Sequence, residues 1–286
     1  MKQLIYNLIP IVRTFTEDKL VKSKFFNSLG LQAWRMKLAH ARYQKKKVDT
    51  PFHLENMISE FSKSGILQFD NFLDELEFSQ VRQECLNIKK NEEMSRYAKQ
   101  EGPNTMYNPN IFDLDLEKYP AIKKLLTNEK LNLLFSTLEK RPISIANKDI
   151  YVQMQYLVQG KDNGKKDPET ELHADTFFNT HKAWIYLDDV KEENAPFVFV
   201  PTTHNIYLKG RLDKEKAYSK DIGAKGSRRI MQEELDELQL KEKVYTCKKN
   251  TLVIANTLGY HRRLRGVDGH DRLTLAFSAR SNPFFN

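Results

Sequence analysis

A carboxylate two residues after one histidine, a second histidine far downstream and an arginine eleven residues beyond that constrain this chain more than any other feature of its 286 residues. The segments are Leu172-His173-Ala174-Asp175-Thr176 and Gly259-Tyr260-His261, followed by Arg272. In an extended strand side chains alternate, so His173 and Asp175 project to one side while Ala174 turns back to the core. One strand thus delivers two polar groups, and the fold must return a distant strand to meet them. Thr251-Leu-Val-Ile-Ala-Asn-Thr257 reads as a buried strand carrying His261 at its end. Arg272 opens another strand-like run, to Ser278, in which Arg272, Thr274 and Ala276 share a face. Two imidazoles and one carboxylate around a ferrous ion leave three coordination positions open, the ligand set of non-haem iron oxygenases. A guanidinium beside them grips a carboxylate through two parallel hydrogen bonds, a task lysine does less well. The chain reads as an enzyme, with His173, Asp175 and His261 as metal ligands and Arg272 as the anchor of an acidic cosubstrate.

The other histidines carry less. His270 is the rival for the distal ligand, but Gly266-Val-Asp-Gly-His-Asp271 reads as a turn. His204 ends Pro201-Thr-Thr-His204 and reads as structural; His181, His40 and His53 carry no pattern.

Several stretches together resemble the phytanoyl-CoA dioxygenase family: His173-Ala-Asp175, Trp184-Ile-Tyr-Leu-Asp-Asp-Val190, Pro196-Phe-Val-Phe-Val-Pro201 leading to His204, and Gly259-Tyr-His-Arg-Arg263 before Arg272. The resemblance is best over about residues 150 to 285, looser over 51 to 149, and does not reach residues 1 to 50. It implies a mainly β protein with flanking helices, built on a double-stranded β-helix of jelly-roll, cupin-like form. It also implies Fe(II), 2-oxoglutarate and O2, with His173, Asp175 and His261 on iron and Arg272 on 2-oxoglutarate. Succinate and CO2 would be released and a small-molecule or lipid-linked substrate oxidised. Related halogenases place Gly or Ala where this chain keeps Asp175, so hydroxylation is expected rather than halogenation. Many members have a small hydroxyl residue two positions after the distal histidine, where this chain has Arg263. Gln153, Gln155 and Tyr156, on a strand before the His-X-Asp segment, are further candidates for cosubstrate contact; alternation puts Gln153 and Gln155 on one face and Tyr156 on the other. A catalytically silent metal-binding scaffold and a peripheral membrane adaptor on the same fold are the alternatives.

Charge divides the chain. Residues 1 to 50 hold eleven Lys or Arg against Glu17, Asp18 and Asp49, so the whole net charge of +8 sits there. The balanced charge of residues 51 to 286 argues against an extended nucleic-acid groove on the barrel. Val21, Phe25 and Leu29, then Leu31, Trp34 and Leu38 after Gly30, have helical apolar spacing amid lysines and arginines. Two readings lead for this arm: residues 1 to 45 lie on an anionic membrane, or the helix packs its apolar stripe on the barrel; nucleic acid is a third possibility. Cys85 and Cys247 give no disulfide framework and suit a reducing, cytoplasmic setting, with contact at the inner membrane face if the arm binds lipid. No run reaches the roughly 18 apolar residues of a membrane span, and the apolar start lacks a cleavage site.

The expected organisation is a basic helical arm, residues 1 to 50, and a single domain, residues 51 to 286, whose β-helix core spans about 150 to 286. Helices are expected from Phe52 to Ser64, from an Asp74 cap to about Lys90, and from Pro120 through Leu134. Gly65 to Phe69 reads as a strand, Glu101-Gly-Pro-Asn104 as a loop, Gly160 to Pro168 as a polar loop or lid, and Arg229 to Leu240 as a helical insertion. Arg228, Arg229, Arg262, Arg263 and Arg265 offer either an anion site or a solvated face.

Overall fold

The computed structural model describes residues 23–48, 51–217, 227–281 and 284. In chain order its helices are α1 (Lys24–Ser28), α2 (Leu31–Lys45), α3 (Glu55–Ser64), α4 (Glu75–Lys90), α5 (Pro120–Leu125), α6 (Glu129–Glu139), α7 (Arg211–Ala217) and α8 (Gln232–Glu237). The strands are β1 (Ile66–Phe69), β2 (Ala98–Glu101), β3 (Asn104–Tyr107), β4 (Tyr151–Val158), β5 (His173–Ala174), β6 (His181–Tyr186), β7 (Phe197–Phe199), β8 (Arg228–Arg229), β9 (Lys243–Tyr245), β10 (Thr251–Asn256), β11 (His261–Arg263) and β12 (Arg272–Ala279).

The strands form two antiparallel sheets. A seven-stranded sheet runs β1-β10-β6-β12-β4-β3-β2, and a five-stranded sheet runs β8-β5-β11-β7-β9. Alternation assigns the two faces of the larger sheet to different partners. Val152, Met154, Ile185, Leu252, Ile254, Leu273, Leu275 and Phe277 pack outward against α3, α4, α5 and α6, through Phe61, Phe78, Leu125 and Leu131 among others. Val253, Ala255 and Tyr186 point the other way and meet Phe197 and Phe199 of the smaller sheet. β10 and β12 are therefore buried on both faces, which explains their nearly unbroken apolar runs. This is the two-sheet jelly-roll core expected from the sequence, backed on one side by helices.

Helix α4 shows why the local signals work. Asp74 accepts a hydrogen bond from the Glu77 amide at 2.8 Å, Glu75 and Glu77 occupy the positive first turn, and Lys89 and Lys90 the negative last turn. Its buried stripe is Phe78, Val81, Cys85 and Ile88. The expected helix from Pro120 is in fact two, because the Asn128 side chain accepts from the Leu131 amide and starts α6 afresh. The expected loop at Glu101 to Asn104 is the turn of the β2–β3 hairpin, whose Gly102 has φ +63°; a Cβ there would lie 2.7 Å from the Asp167 amide nitrogen.

Of the two readings of the arm, packing of the apolar stripe on the barrel is the one that the buried face of α2 contradicts. Gly30, at φ +93°, separates α1 from α2. Gln32, Ala33, Arg35, Met36 and Ala39 form the buried side of α2, and the Arg35 guanidinium lies 3.8 Å from the centre of the Phe177 ring. Tyr43 donates to the Leu138 carbonyl. Trp34, which the apolar spacing aligned with Leu31 and Leu38 as a packing stripe, is on the opposite side and 46% exposed. Residues 1 to 22 of the expected arm lie outside the described residues.

Candidate metal and cosubstrate site

β5 and β11 are neighbours in the smaller sheet, with His173 directly opposite His261. Their rings stand 4.5 Å apart between centres. Asp175 follows β5 and is held by its amide on the Thr257 carbonyl at 3.1 Å. Its Oδ1 lies 3.7 Å from His173 Nε2 and 3.6 Å from His261 Nε2. One ligand atom from each residue falls within 4.8 Å of the others. The structure thus brings together the three residues that spacing singled out, while His270 lies exposed in its turn.

The protonation of this cluster suits a metal. His173 Nδ1 is 2.7 Å from the Glu171 carbonyl and His261 Nδ1 is 2.9 Å from the Gly259 carbonyl. A carbonyl only accepts, so each Nδ1 carries a proton and each Nε2 is turned toward the centre. Burial, then the neighbouring His261, pushes the His173 pKa down to about 4, so the ring is neutral at neutral pH. Burial would raise the Asp175 pKa, but Lys182 and then the two imidazoles outweigh it and hold the carboxyl well below its usual range. Two imidazole nitrogens and one carboxylate oxygen converge, the donor set that suits a ferrous ion.

Lys182 adds a feature the motif does not contain. Its Nζ sits 2.6 Å from Asp175 Oδ2, and Arg280 approaches the same oxygen at 3.5 Å. Oδ2 is thereby paired in charge, though without a well-aligned hydrogen bond, and Oδ1 faces the histidines. Lys182→Met is expected to weaken Fe(II) or Co(II) binding by about 10- to 100-fold, the usual effect of removing a group that orients a ligand, with Lys182→Arg recovering part of it. Calorimetric titration of the two variants checks this; unchanged metal affinity in Lys182→Met would show that Asp175 needs no such support.

The floor beside the cluster is a lattice of three strands. Ser278 pairs with Tyr151 and Lys182, Ala276 with Gln153 and Trp184, and Thr274 with Gln155 and Tyr186, with Arg272 one step further along β12. These strands line a cavity of about 520 Å³ that also takes in His173, His261, Phe197, Arg263 and Arg280. Arg272 is 9% exposed and reaches the Ala195 carbonyl. Arg228, Arg229, Arg262, Arg263 and Arg265 each meet a carboxylate: Glu215 and Glu234, Glu171, Glu242, Glu101 and Asp167, and Asp162. Among the described residues Arg272 has no such partner, and burial brings its pKa down to about 10.

The remaining candidates separate. Gln153 and Gln155 line the cavity, Gln153 donating to the Asn108 carbonyl at 3.2 Å. Tyr156 does not reach it: on the other face of β4 its hydroxyl donates to Asp271 at 2.5 Å and its ring stacks on Tyr107. Strand alternation thus keeps Tyr156, expected as a candidate cosubstrate contact, out of the cavity wall. Arg263 lines the cavity but is tied to Asp167 at 2.6 Å and Glu101 at 3.1 Å, clamping the polar loop and the β2–β3 hairpin to the strand that carries His261. Lys182 and Tyr186 went unnoticed in the sequence, although they sit two residues to either side of Trp184 on a strand whose alternation was legible. His204 is structural, with Nε2 3.1 Å from the Ser62 carbonyl and its ring where a Cβ on Gly65 would intrude at 2.4 Å.

Two buried imidazoles make stability pH-dependent. Burial chiefly lowers both His173 and His204 from 6.5 to about 4. The unfolded chain therefore takes up these protons first as pH falls. The contribution is full above pH 6.5 and is lost between 6.5 and 4, by up to about 1.4 kcal/mol per pH unit for each group. Urea midpoints of the metal-free protein should fall from pH 7.5 to 5, with a shallower slope in His204→Gln; a flat profile would show that neither ring is held neutral.

The sequence model of the phytanoyl-CoA dioxygenase (PhyH) family matches residues 61–246. The match holds His173 and Asp175 and ends before His261 and Arg272. No curated protein matches the chain in sequence. Among solved structures, the epimerase SnoN from nogalamycin biosynthesis, alone and in complex with Fe3+, alpha ketoglutarate and nogalamycin RO, resembles it. The complex is 15% identical over 79% of this chain and 82% of that one, with a TM-score of 0.52; SnoN alone is 14% identical over 79% and 81%, at 0.50. HygX from Streptomyces hygroscopicus with iron bound is 13% identical over 78% and 85%, at 0.47. At such identities the likeness is one of fold.

Proposed function

The chain belongs to the phytanoyl-CoA dioxygenase family, and we propose that it is an Fe(II)- and 2-oxoglutarate-dependent hydroxylase of a small polar molecule. His173, Asp175 and His261 would hold the iron, and Arg272 would take the far carboxylate of 2-oxoglutarate. The observation that carries this reading is Arg272: a buried guanidinium without a carboxylate partner among the described residues, in the wall of the cavity that holds a ready-made ligand cluster. An uncompensated buried charge is costly, and a bound dicarboxylate would relieve it.

When bound, iron and 2-oxoglutarate supply the oxidising chemistry and release succinate and CO2. The chain's own part is holding and exclusion. The two Nδ1 to carbonyl bonds fix the ring planes, and Lys182 leaves one carboxylate oxygen for the metal. Trp184 and Phe197, their rings 4.7 Å apart, wall the cavity beside His261. Asp175 fills the position that related halogenases leave open, which favours hydroxylation. Away from Arg272 the cavity is lined by Lys182, Arg280, Ser278, Tyr151, Gln153 and Asn108 together with Met106, Ala276 and Phe277, a mixed surface whose charged and hydrogen-bonding groups favour a substrate that carries polar groups of its own. The test is substrate-independent conversion of 2-oxoglutarate to succinate by the Fe(II)-loaded protein, followed by a comparison of metabolites with and without the protein for the gain of one oxygen. No succinate would leave a silent metal-binding scaffold instead.

A further inference from the structure

We propose that the outward face of α1 and α2 docks on an anionic lipid bilayer. Phe25 is 65% exposed, Leu29 70%, Phe26 41% and Trp34 46%, a concentration of large apolar groups that solvent-facing helices do not ordinarily carry. On α2, Trp34, Lys37, Ala41 and Lys45 recur at helical spacing along one side, with Arg42 beside them, opposite the buried side of Gln32, Arg35, Met36 and Ala39. The packing requirement of the helix is therefore already met by its other side, through Met36 and Ala39 against Phe177, Phe178 and Leu258. Trp34 is spare to that packing.

Charge selects the occupant. From Ser23 to Val48 there is no Asp or Glu, while Lys37, Arg42, Lys45 and Lys47 are exposed. Aromatic and leucyl side chains among unopposed cations match the boundary of a membrane whose lipids carry negative headgroups, where rings seat at headgroup level and cations stay in water. A duplex would use the cations, but its outer surface of phosphates and sugars offers no apolar layer in which Phe25, Phe26, Leu29 and Trp34 sit together.

The experiment uses the full-length chain and sedimentation with vesicles of phosphatidylcholine containing one quarter phosphatidylglycerol, with pure phosphatidylcholine as control. Binding to the charged vesicles is expected, with loss at high salt because the attraction is screened beyond about 8 to 10 Å near physiological ionic strength. Each neutralised cation should lower the partition coefficient about fivefold, so Lys37→Gln, Arg42→Gln, Lys45→Gln and Lys47→Gln combined should abolish it. Phe25→Ser with Leu29→Ser should weaken binding at unchanged thermal midpoint. Of the two tryptophans, Trp184 lines the cavity, so a blue shift on vesicle addition that disappears in Trp34→Phe would place the helix face in lipid. No binding to charged vesicles at low salt would overturn the proposal. So would binding indifferent to these substitutions, a fall in thermal stability of Phe25→Ser with Leu29→Ser, which would mean the face is covered within the chain, or binding of duplex DNA without vesicle binding. Succinate formation from 2-oxoglutarate does not involve this face, so its presence or absence bears on the proposed function alone.

Discussion

The His261→Ala protein should fold and yet lose metal: Fe(II) or Co(II) affinity is expected to drop by about 100-fold or more, and succinate formation to vanish. Removing a group that merely orients a ligand commonly costs 10- to 100-fold, and His261 would itself be one of the three donors of the cluster. His173→Ala and Asp175→Ala should match it. The fold should survive because β11 is held by its pairing to β5 and β7, not by the imidazole, and the neighbouring core is Phe197, Phe199 and Tyr260. His270→Ala, in an exposed turn, should leave both quantities unchanged. Metal titration with circular dichroism on all four variants reads this out; if His270→Ala lost metal and His261→Ala kept it, the third ligand would be misassigned.

Arg272→Leu should raise the concentration of 2-oxoglutarate needed for half-saturation by about 10- to 100-fold, from the roughly 1.5 to 3 kcal/mol of a charged hydrogen-bonded contact. Metal affinity should stay close to that of the unaltered protein. The sign of the stability change makes this test sharper than a loss of activity alone. Arg272 meets only the Ala195 carbonyl among the described residues, so leucine removes a desolvated charge without orphaning a carboxylate, and the ligand-free variant should melt no lower than the parent. The stabilisation conferred by 2-oxoglutarate, about 2.7 kcal/mol at a hundred times its dissociation constant, should disappear in the variant at the same concentration. A variant whose melting still rises fully with 2-oxoglutarate would remove Arg272 from the site.

The parts of the fold that could be read in the sequence are those governed by neighbours in the chain. Asp74 with its charged turns, the apolar runs of β10 and β12, and the alternation that aims His173 and Asp175 together are all local. Misreadings arise where distant groups decide. Of the two readings of the Leu31, Trp34 and Leu38 stripe, packing on the barrel fails because the side of α2 that packs contains Arg35, which lies against the ring of Phe177 and bonds Gln32. The β2–β3 hairpin was missed because an edge strand as polar as Ala98–Glu101, exposed at three of its four positions, has no apolar pattern to show. In the site, spacing picked out the three residues that converge and the arginine in the cavity wall beside them. Lys182 and the pairing of Arg263 with Asp167 and Glu101 lay beyond it, since an ion pair formed across the fold leaves no periodic trace.

The contact between Lys182 and Asp175 also bears on the order of assembly. A chain whose only anionic ligand stood naked among buried groups would have to find its ion in order to close, as small zinc-bound domains do. Here the carboxylate is already answered by an ammonium at 2.6 Å, and the imidazoles beside it are tethered to carbonyls of their own segments. Maturation can therefore be sequential: the newly made protein reaches its final architecture first, and the ion arrives late, as a guest in a finished house. Chelation should run that order backwards, taking the ion out and leaving the walls standing.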